Sequence, residues 1–146
     1  MNNLSIYHEK ILALASQNKN SKEIDDFNSS FDMKNPMCGD EVKIRIKITN
    51  EIIQDVSASV RGCALCEASA GLVIQIFKNN DISKDDFIKK FLFWLEMKSV
   101  NLPNELPKEI EIFEPIREIS NRHKCVSMPF EAIINSIDDY KLKNKN

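Results

Sequence analysis

Glycine is scarce: the 146-residue chain has three, at positions 39, 62 and 71. Phosphate-cradling loops need clustered glycines so that backbone N–H groups can close on an anion, and these three form no such run. Histidine is scarcer still, with His8 and His123 alone, and no serine–histidine–acid arrangement stands out. There is no excess of one charge. Twenty Lys and Arg stand against 22 Asp and Glu, a net charge of −2, so nothing marks nucleic acid or an anionic membrane as a partner. Long apolar runs are absent as well. The longest are Ile11–Ala15 and Leu72–Ile76 (broken by Gln75), far short of the roughly 18–20 residues of a membrane span. No charged-then-apolar segment opens the chain, so a cytoplasmic, reducing location is expected. No internal repeat or low-complexity tract is visible.

What is present is ordinary for a soluble globular protein: 42% hydrophobic and 29% charged residues. One domain spanning 1–146 is expected, with a core large enough to need no staples. The four cysteines are the unusual part. In a reducing compartment they favour metal or thiol chemistry over structural disulfides.

Leu4, Tyr7, Ile11, Leu14 and Ala15 recur at helical spacing and predict a helix over 3–17. Residues 17–30, rich in Asn, Ser and Lys, read as loop, followed by a short strand near Phe31. Val42, Ile44, Ile46 and Ile48 alternate with Lys43, Arg45 and Lys47, the pattern of a half-buried strand. A turn at Thr49–Glu51 leads to a second strand, Ile52–Arg61, with Val56, Ala58 and Val60 inward. After Gly62 the period changes to that of a helix, Ala64–Lys78. Ser83–Asp86 predicts a capping-box start for another helix, with a core stripe of Phe87, Ile88, Phe91, Leu92 and Leu95. Pro103 and Pro107 mark a break, and Glu109–Ile119 reads as a short helix. Pro129 suits the first turn of a final helix, Phe130–Tyr140. Residues 141–146 read as a flexible tail. The fold class is α+β: a small antiparallel sheet of about three strands covered by helices.

The cysteines sit where the chain turns. Cys38-Gly39-Asp40 sets a thiol and a carboxylate two residues apart, and Gly39 lets the backbone bend so that both can reach one ion. Cys63 follows Gly62 at a strand-to-helix junction, and Cys125 lies near another helix start, with Arg122 and Lys124 beside it. Helix N-termini and nearby cations lower a thiol pKa, so both positions are expected to favour thiolate. Cys66 lies three residues after Cys63 on the same helix face and reads as a small buried residue, a spare ligand or a resolving thiol. His8 belongs to the surface of the first helix. His123, two residues before Cys125, points away from the site.

Together, Asn35-Pro36-Met37-Cys38-Gly39-Asp40, the hairpin, Gly62-Cys63 before an Ala/Ser-rich helix, and Lys124-Cys125 resemble the IscU/SufU/NifU N-domain family of iron–sulfur cluster assembly. The resemblance covers residues 31–137 and is closer to the SufU branch. Lys124 stands where IscU-type chains carry His, and an insertion of SufU length falls at about 84–104. Leu106-Pro107-Lys108 is not the Leu-Pro-Pro-Val-Lys element with which IscU-type scaffolds engage an Hsp70 chaperone, so that partner is not expected. Tyr7-His8-Glu9-Lys10 departs from the family's N-terminal signature, which makes residues 1–30 the divergent part.

The resemblance implies one site in which Cys38, Asp40, Cys63 and Cys125 bind zinc; Cys66 departs from the family, which usually has a small residue there, and is a further candidate ligand by its spacing from Cys63. It implies Cys38 and Cys125 as acceptors of persulfide sulfur from a cysteine desulfurase, with Lys124 and Arg122 as surrounding cations. Iron or a [2Fe–2S] cluster is the alternative cofactor, and downstream apo iron–sulfur proteins are the implied recipients. The protein would be a scaffold or a zinc-dependent sulfurtransferase. Two other readings stand beside this one. The first is a thioredoxin-like dithiol oxidoreductase using Cys63-Ala64-Leu65-Cys66, and the second is a structural zinc module.

Overall fold

A computed structural model describes residues 3–83 and 86–144, with side chains from Ile6 onward. Its sheet has three antiparallel strands, β1 (Ser29–Lys34), β2 (Glu41–Thr49) and β3 (Ile52–Arg61), in the order β1-β2-β3. Val42, Ile44 and Ile46 on β2 lie opposite Val60, Ala58 and Val56 on β3, as the alternation predicts. Together with Ile48, these β2 residues are buried. Asn50 and Glu51 make the hairpin turn, both left-handed at φ 53° and 64°, which is the twist-matched form of a two-residue connection. The charged face of β2 is not simply wet, because the loop after the first helix lies along it. The Arg45 guanidinium sits 4.7 Å from the centre of the Phe27 ring, and Lys47 pairs with Asp26 at 3.0 Å.

Helices α1 (Asn3–Lys19), α2 (Ala64–Phe77), α3 (Phe87–Glu96) and α4 (His123–Lys143) cover the other face. Gly71 lets α1 and α2 approach, since a Cβ there would come 2.9 Å from the Leu14 carbonyl oxygen. The buried Asn18 side chain, near the end of α1, donates to the Ala58 carbonyl at 2.9 Å and to Glu67 at 2.7 Å, tying α1 to β3 and α2. Ser29 on β1 donates to the Ser136 carbonyl of α4 at 2.7 Å. Phe77, Phe87, Phe91 and Phe130 meet in one aromatic cluster, with Phe91 edge-on to Phe130 at 4.8 Å.

The structure departs from the sequence reading in four places. The final helix starts at His123 rather than around Pro129, which lies inside it. Proline has no N–H to give the Cys125 carbonyl four residues back, so on local grounds it belongs in a first turn. Burial of the whole run Cys125–Phe130 overrides that preference. The Ser69 hydroxyl of α2 also donates to the neighbouring Val126 carbonyl. The helix continues to Lys143, into what reads from sequence as tail; Lys145 and Asn146 lie outside the described residues. The α3 helix begins at Phe87, after a left-handed Asp86 that makes no side-chain cap; Lys84 and Asp85 of the expected box lie outside the described residues. The segment Lys108–Glu118 is a 3-10 helix with Pro115 inside it, not an α-helix.

The segment from α3 to the 3-10 helix is fastened by Arg117, which is 4% exposed. Its guanidinium donates to the carbonyls of Trp94 (2.8 Å), Met97 (2.6 Å) and Val100 (2.8 Å) and to Glu114 (2.9 Å). It also stacks 4.6 Å from the Trp94 ring. Among the described residues, no helix is long and apolar enough to cross a membrane.

Candidate metal centre

Three chain reversals bring the sulfurs together. The β1–β2 connection, residues 35–40, is closed by the Asn35 N–H donating to the Asp40 carbonyl (2.8 Å) and the Gly39 N–H donating to the Asn35 carbonyl (2.7 Å). The Asn35 side chain also accepts from the Met37 N–H at 3.1 Å, an Asx turn. Gly39 is left-handed at φ 78°, a conformation that opposes any side chain. Met37 (92% exposed) and Cys38 are thereby held at an exposed tip, while Asp40 turns inward and is 6% exposed.

Asp40 fits because position 62 is glycine. A Cβ on Gly62 would lie 2.5 Å from Asp40 Oδ1 and 2.6 Å from Asp40 Cγ. The glycine that ends β3 is therefore part of the site, a role that its position at a turn does not reveal. Cys63 then caps α2 with an extended backbone, and its thiol donates to Asp40 Oδ2 at 3.6 Å. Cys125, in the first turn of α4, is 2% exposed, and Cys63 and Arg122 are the groups that act on its thiol most directly.

Ligand atoms of Cys38, Asp40 and Cys125 all lie within 4.8 Å of one another, and Cys63 joins them through Asp40 and Cys125. The structure thus gathers the four residues named from sequence. Two sulfurs and a carboxylate lie within 4.8 Å of one another, with a third sulfur 3.6 Å from that carboxylate; three sulfurs and one oxygen are a donor set that zinc accepts, and the sulfurs equally suit iron. The residues present fit a metal.

The electrostatics differ from the sequence expectation. Burial pushes the Cys125 thiol up to about 12, and its contact with Cys63 adds to the rise. Arg122 opposes this, but the helix start and the cation do not win. A bare, buried thiolate beside other anionic groups is too poorly solvated, and a metal ion is what would make it stable. The Arg122 guanidinium is held above its ordinary pKa, first by the hydrogen bond to Cys125 and then by the negative charge of the cluster.

Lys124 has an acidic partner on its own helix. Its ammonium lies 2.6 Å from Glu131 farther along α4, whereas the charge of the cysteine cluster is felt by Arg122. The His123 Nε2 is 3.1 Å from the Arg117 carbonyl oxygen, which turns the ring to the backbone, and His8 is exposed on α1. Cys66 is fully buried on α2. Its thiol is pushed strongly up by burial, and further by Asp40, Cys63 and Cys125. It is not among the ligand atoms that lie within 4.8 Å of one another.

A family model described as NifU-like N terminal domain matches residues 6–146. The chain belongs to that family. This NifU-like chain is 25% identical over 132 residues to the zinc-dependent sulfurtransferase SufU of Bacillus subtilis, covering 90% of the chain and 89% of that protein. It is 32% identical over 111 residues to the iron-sulfur cluster assembly scaffold protein IscU of Buchnera aphidicola subsp. Baizongia pistaciae, covering 75% and 73%. Its fold matches that of SufU from Fervidobacterium islandicum with a TM-score of 0.79 at 21% identity, over 93% of this chain and 99% of the other. It also matches a nitrogen-fixing NifU-like protein (N-terminal) from Brucella abortus, with a TM-score of 0.78 at 19% identity over 97% and 96%. The chain is of the IscU/SufU/NifU type, and the three-stranded α+β architecture is the one its sequence predicts.

Proposed function

We propose that this chain is an iron–sulfur cluster assembly protein that takes sulfur from the persulfide of a cysteine desulfurase onto Cys38. A single observation carries the reading: Cys38 is exposed at a loop tip, while its neighbours within 4.8 Å, Asp40 and Cys125, are buried. A purely structural metal site has no need to present one ligand to a partner.

In the transfer, the Cys38 thiolate attacks the terminal sulfur of the desulfurase persulfide. A bond forms between that sulfur and Cys38 Sγ, the sulfur–sulfur bond to the desulfurase cysteine breaks, and that cysteine leaves as a thiolate. No net oxidation occurs. Cys125 lies within reach as a second acceptor by the same exchange. Cys38, Asp40, Cys63 and Cys125 would hold zinc, which supplies Lewis acidity that keeps thiols ionised near neutral pH. Asp40, the lone oxygen donor, is the ligand most readily exchanged, and Arg122 offsets part of the negative charge.

The second reading is a scaffold on which the same residues hold a [2Fe–2S] cluster as cargo for apo iron–sulfur proteins; the sulfur-rich donor set favours it equally. The thioredoxin-like reading has less support, because Cys63-Ala64-Leu65-Cys66 follows an antiparallel hairpin rather than a βαβ unit.

Anaerobic purification with metal analysis and visible absorbance separates the first two. About one zinc per chain and a colourless protein is the expected result. A coloured cluster that passes to an apo-acceptor would replace zinc-assisted transfer with the scaffold reading. Neither metal nor cluster, with unchanged desulfurase stimulation in Cys38→Ser and Cys125→Ser, would overturn both.

A further inference from the structure

Cys66 is the one cysteine that the reading above leaves unused. It is three residues from Cys63, across the first turn of α2, and is fully buried. Cys63 is the extended N-cap of α2 and Cys66 the third residue of the helix, so a single turn separates the two. Asp40, Cys63 and Cys125 are all close enough to Cys66 to act on it electrostatically. The Cys63 thiol, in turn, donates to Asp40 at 3.6 Å, and Asp40 shares a 4.8 Å group of ligand atoms with Cys125 and the exposed Cys38. The four cysteines thus gather around Asp40, from the exposed Cys38 at the loop tip to the buried Cys66 in the first turn of α2.

We propose that Cys66 is a resolving thiol, a further catalytic residue that turns a sulfane sulfur carried on Cys63 into free sulfide. This rests on sulfur acceptance at Cys38. Sulfur reaches Cys63 by two exchanges of the kind already described, each forming one sulfur–sulfur bond and breaking another. Cys66 Sγ then attacks Cys63 Sγ. The Cys63–Cys66 disulfide forms, the bond to the terminal sulfur breaks, and that sulfur leaves with the bonding pair and the Cys66 proton as hydrogen sulfide. The sulfane sulfur gains two electrons and the two cysteines supply them. A dithiol reductant restores the pair for another cycle.

Position fits this role better than ligation does. A ligand must reach the ion, and Cys66 is absent from the group of ligand atoms that lie within 4.8 Å of one another. A resolving thiol needs only to reach its partner sulfur, and burial shields it from the desulfurase and from other thiols. Cluster chemistry consumes sulfide, whereas a desulfurase delivers sulfur at the oxidation level of a persulfide. A dithiol inside the acceptor supplies the missing electrons where they are used.

The test is a single loading without reductant. The fully reduced protein is mixed with a cysteine desulfurase that already carries its persulfide and has been freed of cysteine, so that loading itself expels only the desulfurase thiolate, and the mixture is then alkylated. Released sulfide is measured, and disulfides and persulfides are mapped by mass spectrometry. Wild type is expected to release sulfide in step with a Cys63–Cys66 disulfide. Cys66→Ala, apolar like its buried surroundings, and Cys66→Ser are each expected to keep the sulfur as a persulfide and release none. Equal sulfide release from folded Cys66→Ala, or wild type that holds its persulfide with no Cys63–Cys66 disulfide, would overturn the resolving role and leave sulfur acceptance standing. Failure of any cysteine to become persulfidated would overturn both.

Discussion

The sulfur-bearing corner and the Phe87–Glu118 segment are held by opposite means. The corner is built from short reversals, each with its own local device: the Asn35 turn, left-handed Gly39, side-chain-free Gly62 and the start of α4. Its polar groups face one another and, on this account, wait for an ion. The segment has few such devices. It is held by one residue, Arg117, whose guanidinium satisfies three carbonyls, and by the aromatic cluster below it. Local devices fix where a side chain points. A buried arginine fixes only that a segment stays closed.

If that contrast is right, stability and metal binding should separate. Arg117→Ala leaves the Trp94, Met97 and Val100 carbonyls without their donor and should cost about 3–4 kcal/mol, in the range for unpaired buried groups. Thermal unfolding should show a midpoint lower by roughly 10 °C, with metal content at low temperature unchanged. Metal loss in this variant would mean that the two regions are one unit. Gly62→Ala should do the reverse. The added methyl displaces Asp40, so metal affinity should fall about tenfold or more, against a stability loss of about 1–3 kcal/mol. A competition titration with a chelator reads the first quantity and thermal unfolding of the metal-free protein the second.

The smallest effects sharpen the picture within the corner. Arg122→Gln should weaken metal retention a few-fold, because Arg122 hydrogen-bonds Cys125. Lys124→Gln should leave retention unchanged and cost no more than about 1 kcal/mol, the worth of an exposed pair. The opposite order in the same chelator titration would return Lys124 to the site.

The same contrast explains what the sequence made legible. Alternation in Val42–Ile48, the turn before Ile52 and the Gly62–Cys63 junction are local signals, and the structure follows each of them. Asn35–Asp40 and the cysteines carried the family resemblance, and the family match bears it out. What stayed hidden depended on distant packing. Trp94 lies on the same α3 face as Phe87 and Phe91 and is fully buried, yet its importance comes from Arg117, 23 residues away in sequence. Pro129 argued for a helix start that burial of the turn before it overrode. The contact between Gly62 and Asp40 joins two loops, so no local pattern announces it. The raised Cys125 thiol likewise follows from burial, whereas its helix-start position and neighbouring cations argue the other way.

The central claim is that Cys38, the exposed member of the group, is where sulfur enters. A cysteine desulfurase and free cysteine, incubated anaerobically with the chain and quenched with an alkylating agent, test this directly by mass spectrometry of the Cys38 peptide. The account predicts one extra sulfur on Cys38 at the earliest times, and none anywhere in the chain in the Cys38→Ser variant. Early sulfur on Cys125 with Cys38 unmodified, or full loading of Cys38→Ser, would contradict it.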